Sequence, residues 1–284
     1  MSIDLVCSRL LLLSVPALGA CVASDAINTP VNVIVMVDQA AAGGGDSGPE
    51  PPVAERDGAG PTGNSELTLA LEPDHLWRFD ETSGHVVRDE IGGEHGKTAR
   101  AVDRIPGLSG NAVALSGNAR SFVDLGWNVG QVGRRNFTVS LWFRSDSNAS
   151  NSELLSNRAN GSHGNFFNLR VAGGKVVFEL DEDTTGTNYV ALTSQEGLTD
   201  GAWHRVVARR RGNRATLFID GERVDEATSK GPINVDNGRS LQVGTSAVAN
   251  EFGIHFRGDV DEVAIFDRAL RDHELATLAS SKTL

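Results

Sequence analysis

Between Phe137 and Arg144 the chain alternates: Phe137, Val139, Leu141 and Phe143 fall on one side, and Thr138, Ser140, Trp142 and Arg144 on the other. A period of two is the signature of a half-buried β-strand. The alternation returns where Val176, Phe178 and Leu180 oppose Val177, Glu179 and Asp181, and the "AGGK" at 172–175 joins this run to the preceding "FFNLRV" as a hairpin. In "ATLFID", Ala215, Leu217 and Ile219 share one face, with turn signals at Gly212-Asn213 before it and Asp220-Gly221 after it. Near the end "RALRDHELATL" changes to a helical period, with Leu275 and Leu278 on one face and Asp272 as the expected N-cap. The pattern predicts an all-β fold closed by a short C-terminal helix.

Composition supports this. Thirty-two glycines against two methionines in 284 residues imply many turns and few long helices, and a single β-sandwich can occupy more than 200 residues. A formal net charge of -11 argues against nonspecific nucleic-acid binding, whose affinity comes from clustered cations. The run Arg209–Arg211 is therefore expected to be a solvated strand end, and Trp203 to fill the core. His204 has no cysteine or carboxylate at a recognisable nucleophilic spacing, and Arg100, Arg104 and Arg120 read as isolated loop bases. The seven histidines show no zinc-like pairing.

Both cysteines, Cys7 and Cys21, lie in the first 21 residues. Around them "SRLLLLSVPALGAC" has the layout of a secretory signal, and its Leu-Gly-Ala-Cys resembles a bacterial lipobox. That resemblance implies a signal peptide over 1–20, cleavage before Cys21 and lipidation of Cys21, with several acyl chains for a durable membrane anchor; the alternative is an ordinary cleaved signal. With no Asp after Cys21, the expected address is the bacterial cell envelope, at the outer membrane or cell surface. Residues 21–66 read as a flexible tether rich in Gly, Pro, Ala and acidic residues, too poor in large apolar groups to offset its ordering entropy. Val31 to Val37 is strand-like, and either pairs with the domain edge or lies as a sticky stretch within the linker.

The ordered series "LWRFDETSG", "GNAVALSG", "NFTVSLWFRS", "DGAWHRVVARRRGNRATLFIDGERV", "SLQVGTS" and "FRGDVDEVAIFDRALRDHELATL" resembles a laminin-G-like domain of the concanavalin A-like lectin/glucanase superfamily, over 67–284. The resemblance implies a jelly-roll sandwich of two antiparallel sheets that binds carbohydrate or protein. It departs from some relatives in lacking a disulfide near its end. Glucan-cleaving members carry a strand-borne Glu, Asp and Glu; here Glu179 and Asp181 are in place and Asp183 stands for the last Glu, so a glycan hydrolase using Glu179 and Asp181 is one alternative and a purely structural envelope component another. The resemblance also implies a structural Ca2+ held by Asp80 and Asp261, with carbonyls of the "ETSG" turn. In the competing reading Asp261 caps N–H groups at a bulge and Asp80 starts an Asx-turn.

Overall fold

The computed structural model describes residues 63–280 except residue 160. The signal peptide, Cys21, Val31 to Val37 and most of the tether lie outside the described residues. In chain order α1 (Gly63–Leu69) precedes β1 (His75–Trp77), β2 (Val86–Val87), β3 (Gly96–Thr98), β4 (Val102–Pro106), β5 (Asn111–Ser116) and β6 (Val123–Gly126). There follow β7 (Phe137–Arg144), β8 (Ser152–Ser156), β9 (Phe166–Ala172), β10 (Lys175–Asp181), β11 (Tyr189–Thr193), β12 (Trp203–Arg211), β13 (Arg214–Ile219) and β14 (Glu222–Thr228). The chain closes with β15 (Leu241–Val243), α2 (Ala249–Phe252), β16 (Arg257–Phe266) and α3 (Asp272–Ser280).

One sheet runs β14-β13-β12-β7-β16-β5-β4, with β1 also paired to β16; the second runs β11-β10-β9-β8-β15-β6-β3-β2. All pairings between named strands are antiparallel. The predicted inward faces meet between the sheets: Phe137, Val139, Leu141 and Phe143 pack with Phe167, Leu169, Phe178, Leu180, Leu217 and Ile219 in one core. Each such side chain contributes about 1.5–3 kcal/mol on burial. The all-β fold read from the alternation and the two-sheet antiparallel sandwich implied by the resemblance are the observed architecture.

Strand β7 differs from expectation in being buried on both faces. The reason is a second apolar cluster on the outer side of its sheet, where Leu270, Leu275 and Leu278 of the C-terminal segment pack on Leu76, Val207, Phe218, Ala264 and Phe266. Helix α1 joins this layer through Thr68, whose hydroxyl accepts from Arg205 Nη2 at 2.9 Å. Helix α1 takes in the end of the segment read as tether, where Ser65 is buried and donates to Glu262 at 2.6 Å.

The arginine run is also corrected. Only Arg211 is exposed, because the run alternates between two covered faces. Arg210 donates to the carbonyls of Ile233, Gly133 and Arg135, with its guanidinium 4.9 Å from the Phe137 ring centre. Arg209 donates to the Leu270 carbonyl at 2.8 Å and to Asp272 at 2.7 Å. Asp272 is accordingly an ion-pair partner, and the helix start is closed instead by Glu274, which accepts from the Arg271 N–H at 2.6 Å. Trp203 is half-buried under the Arg144 guanidinium rather than in the core. His204 has two carboxylate partners that sequence spacing did not reveal, Asp220 at 2.8 Å and Asp200 at 3.1 Å. Arg104 sits on β4 and pairs with Glu81 at 3.4 Å.

Candidate functional site

The carboxylates singled out by the glucanase-like pattern lie on the outer face of the second sheet. The β9–β10 hairpin turns through Gly173 and Gly174, both left-handed at φ 57 and 77, and this two-residue turn sets Glu179 opposite Asn168 and Val177 opposite Arg170. Glu179 then accepts from Tyr189 Oη at 2.6 Å, Arg170 Nε at 2.9 Å and Asn168 Nδ2 at 3.2 Å, with Arg158 Nη1 at 3.7 Å. Burial pushes its pKa upward, but the Arg170 charge and hydrogen bond, then Tyr189 and Arg158, outweigh it and hold the carboxyl below its ordinary value. Asp181 is tied to His163 Nδ1 at 2.6 Å and to the N–H groups of Glu182 at 3.0 Å and Gly164 at 3.3 Å. Asp183, the third member, sits beyond the strand and accepts from its own turn, including the Thr185 N–H at 2.7 Å.

The structure therefore brings Glu179 and Asp181 together on one strand face but closes both off. A glycosidase pair needs one carboxyl that carries a proton to the leaving oxygen and another free to attack or activate water. Glu179 is ionised, bonded and buried. The neighbouring carboxyl with a raised pKa is Glu153 on β8, which burial pushes up to about 7 against the pull of Arg158. It is wholly buried, so no substrate reaches it. Arg158 helps close this face, lying 4.5 Å above the Phe166 ring and donating to the Gly161 carbonyl at 3.1 Å.

Asp80 and Asp261 meet at the other sheet, on the loop between β4 and β5. Asp261 Oδ2 accepts from the Leu108 N–H at 2.8 Å and its Oδ1 from the Glu262 N–H at 2.8 Å; Asp80 Oδ1 accepts from the Asn111 N–H at 2.9 Å. The pairing of β16 with β7 shifts register between Asp261 and Ala264, and Glu262 in that bulge is left-handed at φ 51. Asp261 is thus a cap at a bulge, as one sequence reading allowed. Burial, with the neighbouring Glu262 charge, pushes Asp261 up to about 8. The negative charge here is answered by Arg78, whose Nε donates to Glu262 Oε1 at 3.2 Å, while Glu262 Oε2 is buried without a partner. Among the described residues no three or more His, Cys, Asp or Glu side chains form a metal-holding group, so a calcium ion at this corner would depend on carbonyl and water oxygens besides Asp80 and Asp261.

The partners Asn168, Arg170 and Tyr189 were not anticipated from the sequence. Two of them were reachable: counting back from the Gly173-Gly174 turn pairs residue 177 with 170 and residue 179 with 168. Arg158 and His163 arrive from a loop, where no periodicity announces them.

Two antiparallel sheets, an apolar core between them and a polar outer face without an accessible acid pair define a lectin-like sandwich. Residues 118–276 match the Laminin_G_3 family model, described as the Concanavalin A-like lectin/glucanases superfamily, and the chain belongs to that family. Domain 4 of AbnA, a GH43 extracellular arabinanase from Geobacillus stearothermophilus, solved with arabinotriose, has a TM-score of 0.57 at 17% identity, over 73% of this chain and 98% of that one. The binding domain of botulinum neurotoxin DC, solved with rat synaptotagmin II, has a TM-score of 0.56 at 14% identity, over 74% of this chain and 51% of that one. At these identities the likeness is one of fold. Among curated proteins, the basement membrane-specific heparan sulfate proteoglycan core protein of Mus musculus is 34% identical over 67 residues, 24% of this chain. The chain spans 2% of that relative's length.

Proposed function

We propose that this chain is a non-catalytic binding module for a glycan or protein ligand, presented on the bacterial cell envelope by a lipid on Cys21. The observation that carries the non-catalytic reading is the state of Glu179 and Asp181, each held by several donors and sealed from solvent. Support for the ligand classes comes from the fold relatives solved with arabinotriose and with synaptotagmin II. The test is a glycan panel and an envelope extract offered to the full chain, alongside a reducing-sugar assay. Saturable binding without sugar release is expected. Release that disappears in Glu179→Gln would establish a hydrolase instead, and absence of any saturable ligand would leave a structural envelope component. For the anchor, Cys21→Ser is expected to move the protein out of the membrane fraction; unchanged partition and no acyl mass on the N-terminal peptide would reject it.

Calcium at the Asp80 and Asp261 corner belongs to the same proposal, motivated by the unpartnered Glu262 Oε2 and the burial of Asp261. An ion that binds only the folded state raises the melting temperature with its concentration. Millimolar calcium is expected to raise it above the value in EDTA, and superimposable curves would remove calcium from the account.

A further inference from the structure

Strands β7 and β16 hold one antiparallel register through Val260↔Phe143 and Asp259↔Arg144. Carried past Ser145 and Gly258, that register sets Asp146 opposite Arg257. The ladder stops short of them, because the Ser145 hydroxyl donates to the Arg257 carbonyl at 2.7 Å and accepts the Ser147 N–H at 3.0 Å. From the β12 side, the Gly201 N–H donates to the Ser145 carbonyl at 3.0 Å. These ties leave a cavity of about 330 Å³ at the end of the first sheet, bordered by Arg144, Asp146, Gly201, Arg257, Gly258 and Asp259. That volume is at the small end of the range for ligand sites.

Two of its walls are bare backbone. Gly258 stands at φ 148, where a Cβ would meet the Arg144 carbonyl oxygen at 2.3 Å, and Gly201 is left-handed at φ 84, so neither position takes a side chain without strain. The charges fall into two kinds. Arg144 is occupied: its Nε and Nη2 hold Asp259 Oδ2 at 2.8 and 2.7 Å, and its guanidinium lies 4.9 Å from the Trp203 ring centre. Arg257 and Asp146 are not. Both are exposed, and among the described residues neither side chain has an ion-pair or hydrogen-bond partner. Opposite charges across an antiparallel pair attract, yet these two border one cavity and stay apart.

We propose that this cavity binds the zwitterionic centre of an α-amino acid, with its carboxylate on Arg257 and its ammonium on Asp146. A guanidinium presents a planar fork of N–H donors that matches a carboxylate, and an aspartate accepts from an ammonium. Both ligand charges sit on one carbon, so a compound carrying only one of them leaves Arg257 or Asp146 unanswered. A neutral sugar answers neither, which separates this site from a glycan site. The Arg144–Asp259 pair, held against Trp203, supplies a fixed wall beside the two free charges. The same centre occurs in a free amino acid and at a free amino-acid end of a bacterial cell-wall peptide. The inference rests on the binding-module reading and adds a site and a ligand class to it.

The test is calorimetric titration of the full chain with L-alanine, D-alanine, free meso-diaminopimelate and a tripeptide ending in meso-diaminopimelate. Each is offered beside forms acetylated at every free amino group or amidated at every free carboxyl. At least one zwitterion is expected to bind saturably, and its blocked forms at least about tenfold more weakly. Arg257→Gln and Asp146→Asn are each expected to weaken binding at least about tenfold, whereas Arg100→Gln, an exposed arginine outside the cavity, leaves it unchanged. Both substituted side chains are exposed, so unchanged melting curves confirm that the fold is intact. Tighter binding of the tripeptide than of the free amino acids assigns the site to a wall peptide, and the reverse order assigns it to free amino acids. Zwitterions that all fail to bind, that bind no better than their blocked forms, or that bind both variants as well as the parent overturn the assignment. If a glycan or a protein still binds in that case, the binding-module reading stands without this site.

Discussion

The two sheets of the sandwich bury opposite charges by different means. On the first sheet Arg205, Arg209 and Arg210 give most of their hydrogen bonds to backbone carbonyls of loops and of α3. On the second sheet Glu179 and Asp181 are answered by side chains, Arg170, Asn168, Tyr189 and His163, with a few N–H groups. A guanidinium offers five donors in a plane and can be satisfied by carbonyls that helix ends and loops present in surplus. A carboxylate needs donors, which strands reserve for their ladders, so it depends on neighbouring side chains. Where burial outweighs its neighbours, as at Glu153, the pKa rises instead, to about 7.

The largest effect is expected at Arg205. This buried side chain links α1, β7 and α3 by donating to Thr68, Ser140 and the Leu278 carbonyl, and its charge lies 5.4 Å from the Trp142 ring. Arg205→Ala is expected to cost about 3–5 kcal/mol, the range for opening a buried polar network, read from denaturant midpoints. A loss below about 1 kcal/mol would mean that the outer layer is not held by this residue.

Glu153 comes next, and its effect depends on pH. Its folded pKa of about 7 lies above the ordinary glutamate value of 4.5, so in that interval the unfolded chain releases a proton that the folded chain retains. Stability is then full at low pH and falls as pH rises toward 7, by about 3 kcal/mol at roughly 1.4 kcal/mol per unit. Glu153→Gln should remove that slope, as seen in the difference between parent and variant stability from pH 4.5 to 8; a constant difference would show that the carboxyl does not titrate in the fold.

The smallest effect is expected at His204, clasped between Asp220 and Asp200. Asp220 foremost, then Asp200, raise its pKa against the opposing effect of burial. A raised histidine stabilises below its unfolded pKa, and the contribution fades as pH rises through the folded value. With both carboxylates about half exposed, solvent screening limits this to about 1 kcal/mol or less. Melting His204→Gln beside the parent at pH 6 and pH 9 should show a deficit at pH 6 alone, and an equal deficit at both would assign the effect to packing.

The strands, their inward residues and the two-residue turns were legible in the sequence because alternation and Gly-containing turns are local properties. What covers each face was not. Arg209 and Arg210 looked like a solvated strand end because nothing local records that α3 and the loop carbonyls at 133–135 would fold over them. His204 was read as partnerless, yet Asp200 lies four residues before it and the β12–β13 hairpin returns Asp220 beside it. The register shift at Glu262 had a similar effect: strict alternation puts Asp261 with Val263 on the apolar face, and the bulge instead turns its carboxylate onto the 107–111 loop.

Recognition without cleavage can be read by mass spectrometry of the full chain mixed with defined arabino- and galacturono-oligosaccharides. The account predicts a noncovalent complex carrying an oligosaccharide of unchanged mass, and free oligosaccharide that stays intact over the same period. Shortened products that vanish with Glu179→Gln, or the absence of a complex with any oligosaccharide or envelope protein offered, would contradict it.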